Sequence, residues 1–133
     1  MSWTRKKTPK KPIDLNNPPE NYDHKRFHVW LTKKGFKHNH SPNGGYRPGY
    51  SGFHFKLMGT SKGFPDFEVP YPCGGYHGFY LELKRKIGGT LEPEQKEWLD
   101  YLSSVGYYAV DAHGFDEAKK HFEYYLSLMP KAA

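Results

Sequence analysis

The stretch Gly63–Lys86, GFPDFEVPYPCGGYHGFYLELKRK, decides the fold. "DFEVP" and "GFYLELKRK" each read as a strand, because aromatic and branched residues run up to Pro and Gly boundaries. The connector "YPCGGYHG" is dense in turn residues, which suits an antiparallel pair. Side chains alternate along a strand, so Glu82 and Lys84 share one face while Phe79, Leu81 and Leu83 take the other. Antiparallel pairing would set the end of the Glu82 strand beside the start of the Asp66 strand. Two carboxylates and an ammonium then meet at one sheet edge. Taken alone, Asp…Glu-x-Lys is a weak pattern, and the solvated face of a hairpin carries such charges more often than a site does.

The flanks extend the pattern. Upstream, Glu20, His24, Phe27 and Leu31 fall on one face of a helix from about Glu20 to Lys34, stopped by Gly35. Residues 36–58 mix short aromatic runs with Gly and Pro, giving a strand, a long loop and a short irregular piece. Downstream, Pro93 suits a first helical turn and Gly106 the residue past the last turn. Leu91, Trp98, Leu99, Leu102 and Val105 form its apolar stripe. Gln95 lies on that stripe, where an amide either caps the helix or meets a polar partner on the sheet. "YYAV" at 107–110 reads as a short buried strand. The last helix, from about Phe115 to Leu128, turns Phe115, Ala118, Phe122, Tyr125 and Leu126 inward. The order α-β-β-β-α-β-α predicts a central mixed sheet flanked by helices, in the α/β (α+β) class.

Composition narrows the setting. The chain has 133 residues, enough for one domain with its own core. Apolar content is only 36%, but aromatics supply 17%, which adds area that the simple count understates. The single cysteine, Cys73, excludes an internal disulfide and a cysteine-built zinc site, which points to a reducing, cytoplasmic setting (host cytoplasm if phage-encoded). No run is long enough for a membrane span and no signal peptide opens the chain. A net charge of +6 points towards a polyanion, foremost nucleic acid, although ordinary solubility charge explains the number equally well. Arg5, Lys6, Lys7, Lys10 and Lys11 lie in an acid-free opening. Residues 1–19 are therefore expected to be a flexible basic arm, and 20–129 the domain.

Metal chemistry gives the charged trio a purpose. Mg²⁺ takes hard oxygen ligands, so Asp66, Glu82 and the main-chain carbonyl of Leu83 suit it. Lys84 beside them could orient water or stabilise charge on phosphorus. Asn43 and Arg47, in a Gly-rich loop, and Lys56, Lys62, Arg85 and Lys86 are candidate DNA contacts, each equally readable as solvated surface. The contiguous His38-Asn39-His40 is no nuclease motif. His38 and His40 share a strand face as zinc ligands would, but the sequence offers no second pair in evident register. Most Tyr and Phe are core residues, though some could stack on unpaired bases.

"GFPDF", "GFYLELK" and "GGTLEPEQKEWLDYLSSVGYYAV", in order and spacing, resemble the virus-type replication-repair nuclease (VRR-NUC) family of the PD-(D/E)XK superfamily. The upstream "HNHSPNGGYR" and "KLMGTSKGFPD" are similar too, so the likeness spans roughly residues 20–120. The resemblance implies a restriction-endonuclease-like core and DNA cleavage with Mg²⁺ or Mn²⁺. It implies Asp66 and Glu82 as metal ligands, Lys84 as the catalytic lysine and Gln95 as the helix glutamine. Glu20 would be the first-helix acid that approaches the metal. Small members look like homodimers acting on four-way (Holliday) junctions in recombination and repair. The alternatives are a non-catalytic DNA-binding module, a restriction-type endonuclease or a flap endonuclease.

Overall fold

The computed structural model describes residues 11–41, 57–59 and 61–129. Its elements are α1 (Glu20–Lys33), β1 (Asn39–His40), β2 (Phe67–Val69), β3 (Phe79–Lys84), α2 (Pro93–Ser104), β4 (Tyr108–His113) and α3 (Phe115–Ser127). This is the expected α-β-β-β-α-β-α order. One four-stranded sheet runs β1-β2-β3-β4, antiparallel through β3 and parallel between β3 and β4.

Local chemistry sets the ends of these elements. Gly35 takes a φ of 83° just after α1, a conformation that side chains with a Cβ rarely adopt. In "YPCGGYHG", Cys73 and Tyr76 pair across Gly74 and Gly75, both at positive φ, so the connector is a tight hairpin turn. The Cys73 thiol meets the Tyr125 carbonyl, and the Tyr125 hydroxyl donates to the Tyr71 carbonyl, tying that turn to α3.

The parallel step from β3 to β4 requires a crossover, which α2 makes. Helices α1 and α3 cover one sheet face, where Phe79, Leu81 and Leu83 join Phe27, Leu31 and Phe122 in the core. Helix α2 covers the other face, the one carrying Tyr80, Glu82 and Lys84. Every residue of β3 is consequently buried, as happens to a central strand covered on both sides. The "YYAV" strand is longer than expected and only half-buried over most of its length, because β4 is the edge of the sheet and has one neighbour. Val105, expected inward, is the C-cap of α2 and 43% exposed.

Asp23, at the inner face of α1, is buried beside Phe115, the first residue of α3. Arg26 Nη1 lies 4.0 Å from its Oδ1, its Oδ2 has no hydrogen-bond partner among the described residues, and burial raises its pKa. The lead-in to α1 is tied down rather than free. Arg85 donates to the carbonyls of Asn17 and Pro18, and Ile87 N–H donates to Asn17 Oδ1. Residues 1–10 of the basic arm lie outside the described residues.

Candidate functional site

The charged trio is not on a solvated face. Asp66 is 3% exposed, Glu82 2% and Lys84 9%. Three ionisable groups buried together are costly unless each finds a partner or a cation.

Their positions follow from where β2 stops. The register Phe67↔Leu81 ends the pairing, and carrying it two residues further sets Pro65 opposite Leu83. Proline has no N–H to give the ladder. The peptide groups of Leu83 therefore face side chains instead. Leu83 N–H donates to Asp66 Oδ2 at 2.9 Å, and the Leu83 carbonyl lies 2.9 Å from His24 Nε2, accepting from it when that nitrogen carries a proton. Pro65 thus leaves free the carbonyl that the sequence singled out.

Glu82 Oε1 accepts from Gln95 Nε2 at 2.8 Å and lies 3.8 Å from Lys84 Nζ. The other end of the same amide, Gln95 Oε1, accepts from Glu92 N–H at 2.9 Å. Gln95 therefore both caps α2 and reaches the sheet, so the two readings of it are one arrangement. Gly63 allows this closeness: a Cβ there would come within 2.7 Å of the Glu94 carbonyl carbon and 2.8 Å of Gln95 N.

Glu20 arrives from the first turn of α1. Its Oε1 lies 3.5 Å from His24 Nε2, which is also 3.6 Å from Asp66 Oδ2. Donor atoms of Glu20, His24 and Asp66 all fall within 4.8 Å of one another, a spacing at which they could hold a metal ion. Glu82 Oε2 adds an observation of its own. It is buried and has no hydrogen-bond partner among the described residues, a state that a cation would relieve. The chemistry of these groups suits a hard divalent ion: carboxylates of Glu20 and Asp66 stand with His24, the Leu83 carbonyl is 2.9 Å from the His24 ring, and the Glu82 carboxyl interacts with Asp66.

The electrostatics agree. Burial, with the Asp66 charge added, pushes Glu82 up to about 9, against the pull of Lys84. Burial raises Asp66 to about 6, against the opposing pull of His24. The hydrogen bond with His24 lowers Glu20. Burial pulls His24 down, but Glu20, Asp66 and the Leu83 carbonyl outweigh it and leave that ring raised. Closely set groups with displaced protonation are what an active site builds.

The histidines were missed as site residues. The second pair that the sequence seemed to lack is on α1: His24 Nδ1 meets His40 Nε2 at 2.8 Å, and His28 Nδ1 meets His38 Nε2 at 2.7 Å. The signal was present as a four-residue helical spacing facing a two-residue strand spacing, but only the packing of α1 on β1 brings them together. Of the expected DNA contacts, Lys62 is exposed beside Glu92 and Glu94, Lys86 is exposed, and Arg85 holds the lead-in. Asn43, Arg47 and Lys56 lie outside the described residues.

The order of elements, the mixed sheet and the Asp66–Glu82–Lys84 edge define a PD-(D/E)XK-like nuclease fold. A solved structure described as a VRR_NUC domain protein aligns with a TM-score of 0.72 and 29% identity, covering 83% of this chain and 89% of that one. With the motifs in register, this likeness supports assigning the chain to the VRR-NUC family. No family model and no curated protein matches it. No helix among the described residues is long and apolar enough to cross a membrane.

Proposed function

We propose that the protein is a metal-dependent endonuclease that hydrolyses DNA phosphodiesters, acting as a homodimer on four-way junctions. The observation that carries this reading is the buried pair Asp66 and Glu82, one oxygen of which has no hydrogen-bond partner among the described residues, beside Lys84. The VRR_NUC neighbour supports a DNA-processing nuclease in general terms; the junction and the dimer are our extension of it.

Asp66, Glu82 and the Leu83 carbonyl would hold Mg²⁺ or Mn²⁺, with Glu20 completing the set from α1. Such an ion, when bound, polarises the phosphodiester and lowers the pKa of water. Lys84, 3.8 Å from Glu82 Oε1, would orient the attacking water and stabilise negative charge gathering on the phosphate oxygens. Gln95 donates to Glu82 Oε1 and would hold that carboxylate in place. Exposed Lys86 and the basic arm supply phosphate contacts that position the substrate. Two opposed cuts across a junction require two such sites, hence the dimer.

The test is cleavage of a four-way junction, a flap and a linear duplex, with Mg²⁺ or with EDTA, by wild type and Asp66→Ala. Junction cutting that needs both the ion and Asp66 is expected. No cutting of any substrate by wild type sinks the enzyme reading. Cutting of linear duplex at one sequence, with junctions ignored, replaces it with a restriction-type enzyme. A monomer in sedimentation at working concentration removes the resolvase.

A further inference from the structure

His24 is buried deeper than a water-facing histidine needs to be and is aimed with care. It is 7% exposed, and its ring lies against Phe67 and edge-on to His40, itself stacked on Phe67. Packing on both sides fixes its orientation. Nε2 points at the Leu83 carbonyl, Glu20 Oε1 and Asp66 Oδ2, at 2.9, 3.5 and 3.6 Å. Neighbouring donors around an octahedral ion with bonds of about 2.1 Å stand about 3 Å apart, so Nε2 sits among these oxygens at donor spacing. Glu20 and His24 are one helical turn apart, the spacing at which a helix presents two ligands to one ion. Nδ1 faces His40 Nε2 at 2.8 Å. A ligating histidine normally gives its second N–H to such an acceptor. A bound ion would take the place of the Nε2 proton that otherwise meets the Leu83 carbonyl, with Nδ1–H given to His40.

We propose that His24 is itself a ligand of the metal centre through Nε2, and that the centre therefore takes a first-row transition ion such as Mn²⁺ in preference to Mg²⁺. This rests on the metal reading of the site and adds a nitrogen to a set otherwise made of oxygens. Mg²⁺ gains little from imidazole, whereas affinity for nitrogen ligands rises along the transition series. The Glu82 carboxyl, whose Oε2 is buried and has no hydrogen-bond partner among the described residues, interacts with Asp66 of the same cluster.

Mn²⁺ alone is the probe, bound to the full chain and followed by electron paramagnetic resonance, with Mg²⁺ as competitor. Pulsed measurements should show nitrogen-14 modulation from a directly bound imidazole. His24→Gln, checked for folding by circular dichroism, should lose that modulation and lose affinity for Mn²⁺ by about tenfold or more, with a smaller change for Mg²⁺. His40→Ala should keep the modulation, since it leaves Nε2 of His24 in place. Mn²⁺ that binds in an Asp66-dependent way without nitrogen modulation, or with modulation that persists in His24→Gln, overturns the proposal and leaves the metal reading intact. Wild type that binds neither ion overturns both. Binding of Mn²⁺ with the nitrogen signature but no DNA cleavage supports the ligand and counts against the nuclease alone.

Discussion

At the residue scale, a single amide carries more of the site than its type suggests. Gln95 has a hydrogen-bond partner at each end, Glu92 N–H and Glu82 Oε1. Replacing Gln95 with Ala strips both and frees the Glu82 carboxylate to rotate. Metal affinity in Gln95→Ala should fall roughly 10–100-fold, the usual effect of losing a group that orients a ligand; calorimetric titration of Mg²⁺ or Mn²⁺ measures it. That Gln95 faces inward was legible from its place on the apolar stripe. Which group it would meet was not, because α2 and β3 are joined only by the crossover packing.

The buried carboxylates also set a pH dependence. Glu82 is raised from 4.5 to about 9, mainly by burial. The folded state therefore binds a proton that the unfolded state has released, and its contribution to stability is present below 4.5 and lost as pH rises through about 9. His24, raised above 6.5 by its acidic neighbours, acts in the same sense. His40 is lowered to about 4, chiefly by burial, so its contribution is present above 6.5 and is lost only in acid. In EDTA the thermal midpoint should thus decline from pH 6.5 to about 9. Glu82→Gln should flatten that decline, which scanning calorimetry reads directly.

At the scale of elements, two residues with no reactive group determine the geometry of those that have one. Pro65 ends the β2 ladder and leaves the peptide of Leu83 to Asp66 and His24. Gly63, at φ 88°, lets the turn before Asp66 lie against the backbone of α2. Gly63→Ala meets both the strained φ and the Glu94–Gln95 backbone, and should lose about 1–3 kcal/mol of stability by urea unfolding. Both residues stand in the "GFPD" quoted from the sequence, where they read as a bend before a strand. Their purpose became visible only with α2 and β3 in place. The strands beside them were legible because apolar patterning and turn residues agreed. The length of β4 was not, since an edge strand is half-buried and its polar residues Asp111 and His113 mask the pattern.

At the scale of the molecule, the sequence opens with five basic side chains and no acid, while Asp66 and Glu82 are buried in the domain. DNA affinity should fall steeply with salt. A chain lacking residues 1–11 should show a shallower log–log slope, by up to about 4 if all five basic side chains engage phosphates. Fluorescence anisotropy with a labelled junction across a salt series tests this, and an unchanged slope assigns the arm to another task.

The sequence by itself determined the order of elements, the pairing of the two central strands and the convergence of Asp66, Glu82 and Lys84 at one edge. Strand alternation and turn chemistry are local rules, and they carry that far. Only the tertiary structure decided that this edge is buried rather than solvated, because burial depends on how α2, the helix that follows β3, folds back over that face. It alone brought His24 to the Leu83 carbonyl, with Glu20 one turn away on the same helix, since that contact joins residues 59 apart through the packing of α1 on the sheet. No periodicity can encode that meeting.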